Sequence, residues 1–398
     1  MKFFYKSVIA FFSFLLVLAC SDSPTDPEKN LVERGAYKEV VQLEQYSAET
    51  IRNAVEQNDY ESPLEFTSDV SVYRIVYYTV DLAGDIVEAS GALMLPAEAN
   101  TSPMLSIQHG TVFEQTSVAS EGAFMAAEGM LGVAFASSNY VTILPDYLGY
   151  GISDMMHPYV HAKGNANVVI DMLQAVKSWC AENNVNLNDQ IFLGGYSEGG
   201  YVTMAAQRLI EAEYNTELPL TAVAPAAGPF DLSGFVVDVI NGMDYPEPVL
   251  AGFLLTAYDE IYNWNLLDEI FVAAFADQMP TLFDGSKSGN DLRNILPDSI
   301  GGLIRHQFVE GYRAGDFPEV ESAFAENTLL DWSPQTPIHL FHGNADNVVT
   351  VQNSLRAYDS LSAKTSATID ITTYEGLGHQ AAAEHVYYDI ALWFESFR

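Results

Sequence analysis

The sequence predicts an α/β fold in which a mostly parallel sheet lies between flanking helices. Short apolar segments alternate with segments of helical length, which is typical of parallel α/β proteins. Several of the apolar segments are almost unbroken, as expected for strands that are covered on both faces. The predicted strands are 104–108, 141–144, 190–194, 222–226, 338–341 and 367–373, and the predicted helices are 168–182, 199–212, 351–362 and 381–397.

A hairpin precedes this alternating part. Two runs of alternating polarity, "VSVYRIVYYTV" and "DIVEASGALMLP", are separated by "DLAGD". Two such runs joined by a short Gly-containing loop indicate an antiparallel pair.

The segment 229–328 interrupts the alternation of strands and helices, because it contains apolar and amphipathic helical stretches and no predicted strand. An insertion of this length between two strands of one sheet is most simply a helical cap. The alternative is a helical half of the main core that has no lid role.

The N-terminus predicts export. Lys2 and Lys6 precede a short apolar run, which is the pattern of a signal peptide over residues 1–19. The residues "VLAC" also look like a bacterial lipobox, so Cys20 is predicted to carry a lipid anchor. A polar tether over 20–35 and an α/β domain over 36–398 follow. We expect a lipid-anchored protein of the cell envelope, at the outer membrane or cell surface; the alternative is a retained membrane helix.

The charge and the cysteines limit the partners. The formal net charge is −36, and such a surface repels nucleic acid and anionic headgroups. Membrane contact is therefore expected only through the N-terminal anchor, and the chain is expected to be a monomer. Cys180 is the second of two cysteines, so lipidation of Cys20 leaves no intramolecular disulfide.

A candidate nucleophile lies in the stretch "IFLGGYSEGGY". Ser197 follows a predicted strand and precedes a predicted helix, and Gly195 and Gly199 flank it. Strand, serine and helix in this order are typical of a nucleophile elbow, where glycines let the two backbones approach each other. The alternative is an ordinary structural turn between a strand and a helix.

A nucleophilic serine needs a base and an orienting acid. His379, in "YEGLGHQ", follows a predicted strand and two glycines, where a mobile loop is expected, and it is the predicted base. Asp346, in "FHGNADNVV", lies just past a strand end and is the predicted acid. The alternatives are a surface-loop histidine and an aspartate that caps the next helix.

Two backbone N–H groups are expected to stabilise an oxyanion. Glu198 directly follows the nucleophile and supplies one of them. The second comes from "HGT" after an earlier strand, with Thr111 as the predicted donor and Gly110 as the alternative.

No cofactor or metal is predicted. His157 and His161 have helical spacing, but Pro158 lies between them and no cluster of carboxylates and histidines accompanies them. The sequence also contains no phosphate-binding loop and no dinucleotide fingerprint.

Taken together, "HGT", "ILPDYLGYG", "HPYVHAKGNANVVIDMLQAV", "GGYSEGG", "LLDWSPQTPIHLFHGNADNVV" and "GLGH" resemble the secretory lipase family of the α/β-hydrolase superfamily. The resemblance implies an α/β-hydrolase fold with a Ser197–Asp346–His379 triad and a lid-like insertion. Asp146 and Tyr147 of "PDYLGYG" would shape the floor of the site; the alternative is a direct contact with the substrate. Family members often have Gln at the position after the nucleophile, where this chain has Glu198.

The predicted function is hydrolysis of carboxylic esters, as a lipase or esterase, through an acyl-enzyme intermediate. Its substrate would be a small-molecule or lipid ester. Two alternatives stay open at this stage: a serine peptidase on the same fold, and a surface binding lipoprotein without catalysis.

Overall fold

The structure is a computed structural model that describes residues 32–57, 61–97, 101–242 and 245–398. Residues 33–398 form one compact unit. The predicted signal segment 1–19, the lipidation site Cys20 and most of the predicted tether 20–35 lie outside the described residues.

The described part of the chain contains both β-strands and α-helices. The strands are β1 (Tyr37–Tyr46), β2 (Val70–Val80), β3 (Ile86–Pro96), β4 (Ser102–Gln108), β5 (Val141–Pro145), β6 (Leu187–Tyr196), β7 (Ala222–Ala226), β8 (Ile338–Gly343) and β9 (Ile369–Tyr374). The helices are α1 (Ala48–Gln57), α2 (Gly129–Ser137), α3 (Ala162–Glu182), α4 (Glu198–Leu209), α5 (Leu232–Gly242), α6 (Pro248–Tyr262), α7 (Leu267–Ile270), α8 (Met279–Leu282), α9 (Gly289–Ile295), α10 (Ile300–Leu303), α11 (His306–Ala314), α12 (Pro318–Glu326), α13 (Val351–Ser362) and α14 (His379–Glu395).

All the strands form one nine-stranded sheet in the order β1-β2-β3-β5-β4-β6-β7-β8-β9. Strands β1, β2 and β3 pair antiparallel, and β3 also pairs antiparallel with β5. From β5 to β9 every pairing is parallel. The predicted fold class is therefore confirmed, and so is the predicted hairpin, which β2 and β3 form around the turn 81–85.

Two apolar clusters cover the faces of the sheet. One contains buried side chains of α3, α4 and α13, such as Val169, Val202 and Leu361. The other contains buried side chains of α2 and α14, such as Phe135 and Phe394. Burial on both faces explains why the central strands consist almost entirely of apolar residues.

The segment between β7 and β8 contains the helices α5 to α12. Its aromatic side chains pack closely on one another; Phe253 and Phe283, for example, stack with 4.9 Å between ring centroids. Its buried residues belong to the same apolar cluster as α3 and α4. The lid role expected for 229–328 stays a prediction.

The sequence missed β1, α1 and α2, and it misplaced one functional position. His379 is not in a loop, because it is the first residue of α14, and Gly378 precedes it as the N-cap. Within the described ranges, no helix is both long enough and apolar enough to cross a bilayer.

Candidate active site

Ser197 occupies a strained turn between β6 and α4. Its backbone dihedrals are φ 60° and ψ −123°, which non-glycine residues rarely adopt. Its N–H donates to the carbonyl of Ala226 at 2.9 Å, so the turn is tied to the neighbouring strand β7. The strain is therefore held in place by the sheet.

Glycines around Ser197 allow three backbone segments to meet. A Cβ added at Gly199 would lie 2.0 Å from the carbonyl oxygen of Gln108, and one at Gly195 would lie 2.5 Å from the oxygen of Gly199. A Cβ at Gly200, which the sequence did not single out, would lie 2.1 Å from the oxygen of Ala226. Any side chain at these positions would push the strands and the helix apart.

The predicted nucleophile, base and acid come together in one hydrogen-bonded chain. Nε2 of His379 lies 2.9 Å from Oγ of Ser197, and Nδ1 of His379 lies 2.5 Å from Oδ2 of Asp346. A carboxylate only accepts, so Nδ1 carries the hydrogen and Nε2 is left to accept the serine proton. The carbonyl of His379 also accepts the hydroxyl of Tyr196 at 2.6 Å, which fixes the start of α14 beside the elbow.

Asp346 is held ionised by several donors. Its Oδ1 accepts the N–H groups of Val348 and Val349 at 2.8 and 2.9 Å. Burial by itself raises the pKa of Asp346, but hydrogen bonds and attraction from His342 and His379 outweigh it and lower the pKa to about 2. The carboxylate therefore stays charged throughout the range in which an imidazole titrates.

His342 is a further residue of the site, which the sequence patterns did not single out. It is fully buried, and its Nε2 lies 3.2 Å from Oδ2 of Asp346 and 2.7 Å from the carbonyl oxygen of Val349. Its Nδ1 lies 2.7 Å from Oγ of Ser354. The sequence contains one indication of this contact, the stretch "HGNAD", in which a histidine at a strand end comes four residues before the acid.

The loop after β4 runs close to the nucleophile. A Cβ added at Gly110 would lie 3.9 Å from Cβ of Ser197. The N–H of Gly110 donates to Oε1 of Glu128 at 3.0 Å, so this alternative oxyanion donor is already engaged. The N–H of Thr111, by contrast, has no hydrogen-bond partner among the described residues. The first N–H of α4, at Glu198, has no carbonyl to accept it inside its own helix.

Tyrosines of the segment 146–159 hold this loop. The hydroxyl of Tyr147 donates to the carbonyl of His109 at 3.0 Å, and the hydroxyl of Tyr150 donates to the carbonyl of Val112. The hydroxyl of Tyr159 lies 3.0 Å from Oγ1 of Thr111. These three tyrosines are buried, so the loop is fixed from beneath.

Asp146 turns away from the reacting groups. Its side chain accepts a hydrogen bond from Oγ of Ser90 at 2.6 Å, and its backbone carbonyl lies 3.1 Å from Nε2 of His109. Complete burial raises its pKa. Asp146 and Tyr147 thus support the loop from below, where the sequence predicted the floor of the site.

Two pockets meet at Ser197. The first, which we call the cap pocket, encloses about 950 Å³ including its opening, and its lining is almost entirely apolar. Besides Ser197 and Glu198, it is lined by residues such as Tyr159, Leu232, Phe235, Leu254, Ile304 and Phe308. The second, which we call the outer pocket, encloses about 1040 Å³ on the same basis, and its lining includes Thr111, Glu128, Arg293, His379 and Gln380.

No metal site emerges from the described part of the chain, where no group of three or more His, Cys, Asp or Glu side chains has suitable geometry. His161 caps the N-terminus of α3 by accepting the N–H of Gly164, whereas His157 lies 2.7 Å from Oε1 of Glu198. The two histidines with helical spacing therefore have different partners and do not converge.

Comparisons with known proteins identify the family of the chain. The family model described as "Secretory lipase" matches residues 115–392. Lipase 6 of Candida albicans is 24% identical over 245 residues, which are 56% of this chain and 47% of that protein. Lipase 1 of the same yeast is 22% identical over 276 residues, which are 65% of this chain and 53% of that protein. The chain thus spans about half the length of these relatives.

Solved structures are similar over most of the described fold. A ligand-bound form of the rice cell wall degrading esterase LipA from Xanthomonas oryzae superposes with a TM-score of 0.85 at 26% identity, covering 92% of this chain and 100% of LipA. A hydrolase from Legionella pneumophila, named as putative, has a TM-score of 0.83 at 25% identity, over 91% of this chain and 98% of its own. The closed state of Candida antarctica lipase A shares the fold, with a TM-score of 0.67 at 15% identity, over 92% of this chain and 82% of its own.

Proposed function

Because this chain belongs to the secretory lipase family, we propose that it hydrolyses carboxylic esters by a serine mechanism that passes through an acyl-enzyme. The observation that carries the proposal is the hydrogen-bonded chain from Ser197 through His379 to Asp346, with distances of 2.9 and 2.5 Å. The N–H groups of Thr111 and Glu198, which have no backbone partner in the described part of the chain, are the proposed oxyanion donors.

The first half of the reaction acylates the serine. Nε2 of His379 takes the hydroxyl proton as Oγ of Ser197 attacks the ester carbonyl carbon. The carbonyl oxygen becomes an oxyanion and accepts hydrogen bonds from the N–H groups of Thr111 and Glu198. Collapse of this intermediate breaks the bond to the alcohol, which leaves with the proton that His379 returns.

The second half uses the same groups with water. His379 takes a proton from a water molecule, which attacks the acyl-enzyme carbonyl, and the second oxyanion collapses to release the acid and the Ser197 hydroxyl. Asp346 stabilises the imidazolium in both halves. Ser197, His379, the ester and water supply every proton and every bond of the cycle, so the proposed mechanism involves no cofactor.

The two pockets suggest how an ester would be oriented. An acyl chain fits the apolar cap pocket, and the alcohol then points into the outer pocket, where Glu128 and Arg293 are located. The name of the LipA neighbour refers to cell wall degradation. We therefore include esters of polar alcohols, as well as simple lipids, among the proposed substrates.

The anchoring and export of the chain are also part of the proposal. The pattern around Cys20 supports a lipid anchor that would hold the enzyme at the cell envelope as a monomer. Mass spectrometry of the mature chain tests the anchor. Two acyl chains or more on an N-terminal Cys20 is the expected result, and an intact Met1 would contradict it.

Turnover of p-nitrophenyl esters from acetate to palmitate tests the activity. We expect the purified full chain to hydrolyse at least part of this series and S197A to be slower by about 10⁴-fold or more. A maximum at short chains indicates an esterase, and a maximum at long chains indicates a lipase. Turnover of peptide substrates but not esters would favour a serine peptidase, and equal rates for wild type and S197A would refute the proposal.

A further inference from the structure

A buried acid lies directly beside the nucleophile and has one partner. The Glu198 side chain is almost completely buried, and its Oε1 lies 2.7 Å from Nε2 of His157, which is also buried. No Lys or Arg among the described residues pairs with this carboxyl group. Its second oxygen, Oε2, is also buried and has no hydrogen-bond partner within the described part of the chain.

The hydrogen bonds of His157 determine how many protons the pair holds. Nδ1 of His157 lies 2.8 Å from the carbonyl oxygen of Leu148, and a carbonyl only accepts, so Nδ1 carries a hydrogen. The 2.7 Å contact between Nε2 and Glu198 needs one more proton between its two atoms. The pair is either imidazolium with carboxylate or imidazole with carboxylic acid, and both forms have zero net charge.

The tyrosines near Glu198 do not donate a hydrogen bond to its carboxyl group. Tyr147, Tyr150 and Tyr159 lie close enough for the Glu198 carboxylate to raise their pKa values, although burial raises them more. Their hydroxyls are directed at His109, Val112 and Thr111 instead. Without His157, an ionised Glu198 would be an unpaired buried charge, which is strongly unfavourable.

We propose that His157 is a positioning residue of the oxyanion site: it neutralises Glu198 and thereby keeps negative charge away from the place where the oxyanion forms. This inference rests on the proposed function, because Glu198 is the residue whose backbone N–H is assigned to the oxyanion. The same contact ties the start of α4 to the segment 146–159, which holds Thr111 on the other side. One histidine thus orders both proposed donors.

The expected effect is on kcat more than on KM. A buried carboxylate a few ångströms from the oxyanion repels the charge that develops in the transition state, but it affects a neutral bound ester much less. At an effective dielectric constant of about 20, an unneutralised charge on the order of 5–10 Å from the oxyanion lowers kcat by on the order of 10- to 100-fold.

A double-mutant cycle on the full chain tests this, with a p-nitrophenyl ester that the wild type turns over. H157N preserves a donor toward Leu148 but leaves Glu198 unpaired, so at about pH 9, where a buried carboxyl group ionises, kcat should fall about 10- to 100-fold while KM changes less than about 3-fold. E198Q supplies the second single-variant rate of the cycle; its amide donates to Nε2 of His157, so we expect it to lower kcat less than H157N does. The double variant H157N/E198Q should recover most of the loss, because the unpaired charge is gone.

A matched control is H161N. His161 is a second buried histidine, four residues after His157, and its pKa is lowered to about 4, by burial first and by the nearby Lys163 second. Asn is a good N-cap, so H161N should preserve both stability and kcat. Fluorophosphonate labelling reports the fraction of correctly folded sites in every variant.

The outcomes are distinct. A double variant as slow as H157N, or an unchanged kcat in H157N, would overturn the role of His157 while wild-type turnover still supports the serine mechanism. If the wild type does not turn over esters, the proposed function fails and this inference fails with it. If H157N does not fold, the double variant decides: folding of H157N/E198Q supports the unpaired charge as the cause, and failure of both overturns it.

Discussion

The elbow around Ser197 and the helical segment between β7 and β8 both line the cap pocket, but different kinds of contact shape them. At the elbow, backbone meets backbone, and an added Cβ at Gly199 would lie 2.0 Å from a carbonyl oxygen. In the helical segment, side chains meet side chains, as in the stacking of Phe253 on Phe283. The elbow therefore allows almost no substitution, whereas the helical segment tolerates many apolar replacements of similar volume.

The largest effect is expected from glycine replacements in the two regions. G199A forces Cβ into the backbone of Gln108, so we expect a loss of about 3–5 kcal/mol in the free energy of unfolding, or no soluble protein. In α10 of the helical segment, a Cβ added at Gly301 meets nothing within 4 Å. G301A should therefore change the free energy of unfolding by about 1 kcal/mol or less. Urea unfolding measures both. Equal losses would show that the elbow is no tighter than the helical segment.

The next effect concerns the acid. D346N should lower kcat by about 10³- to 10⁴-fold, because the amide no longer stabilises the imidazolium of His379. Ester turnover measures this loss, and a loss below about 10-fold would argue against Asp346 as the acid.

Asp346 also gives stability a defined pH dependence. Its pKa is about 2 in the folded chain and about 4 in an unfolded one. Its contribution of about 2 kcal/mol is therefore fully present above about pH 4 and is lost as the pH falls toward 2. The difference in unfolding free energy between wild type and D346N should shrink over that window, and a constant difference would contradict this pKa.

The cap pocket offers a test that changes specificity instead of chemistry. Ala251 of α6 lines this pocket, and A251W would fill part of it. We expect kcat/KM for palmitate esters to fall about 10²-fold while that for acetate changes less than about 3-fold. E260W, at an exposed position of the same helix, is the control. A uniform fall across the series would place the acyl chain elsewhere.

The smallest effect is expected at His342. H342L removes one donor from Asp346, and since two backbone N–H groups and His379 still hold the carboxylate, we expect kcat to fall only about 10-fold. H342Q preserves an N–H donor and should lose less. If both variants lose equally, His342 serves packing and not the orientation of the acid.

The sequence predicted some parts of the fold and of the candidate site and not others. The parallel strands and the order Ser197, Asp346, His379 were predictable because they depend on local apolar runs and short motifs. His342 was not predictable in the same way, because its contact with Asp346 depends on how the loop after β8 folds back. The pairing of His157 with Glu198 spans 41 residues, and no local pattern encodes a contact of that kind.

The strand β1 was missed for a related reason. All of its residues are exposed or half-buried, so it lacks the unbroken apolar pattern of the central strands. The start of α14 was placed two residues late because the glycines before His379 indicated a loop, whereas Gly378 serves as the N-cap. Position in the sheet and backbone geometry, which the local sequence does not contain, decide these cases.

The most direct test of the central claim is the mass of the protein after reaction with a fluorophosphonate. We expect one adduct per wild-type chain, located on the peptide that contains Ser197, and none on S197A. Preincubation with an ester substrate should slow its formation. An adduct at another residue, or equal labelling of wild type and S197A, would contradict the claim that Ser197 is the nucleophile.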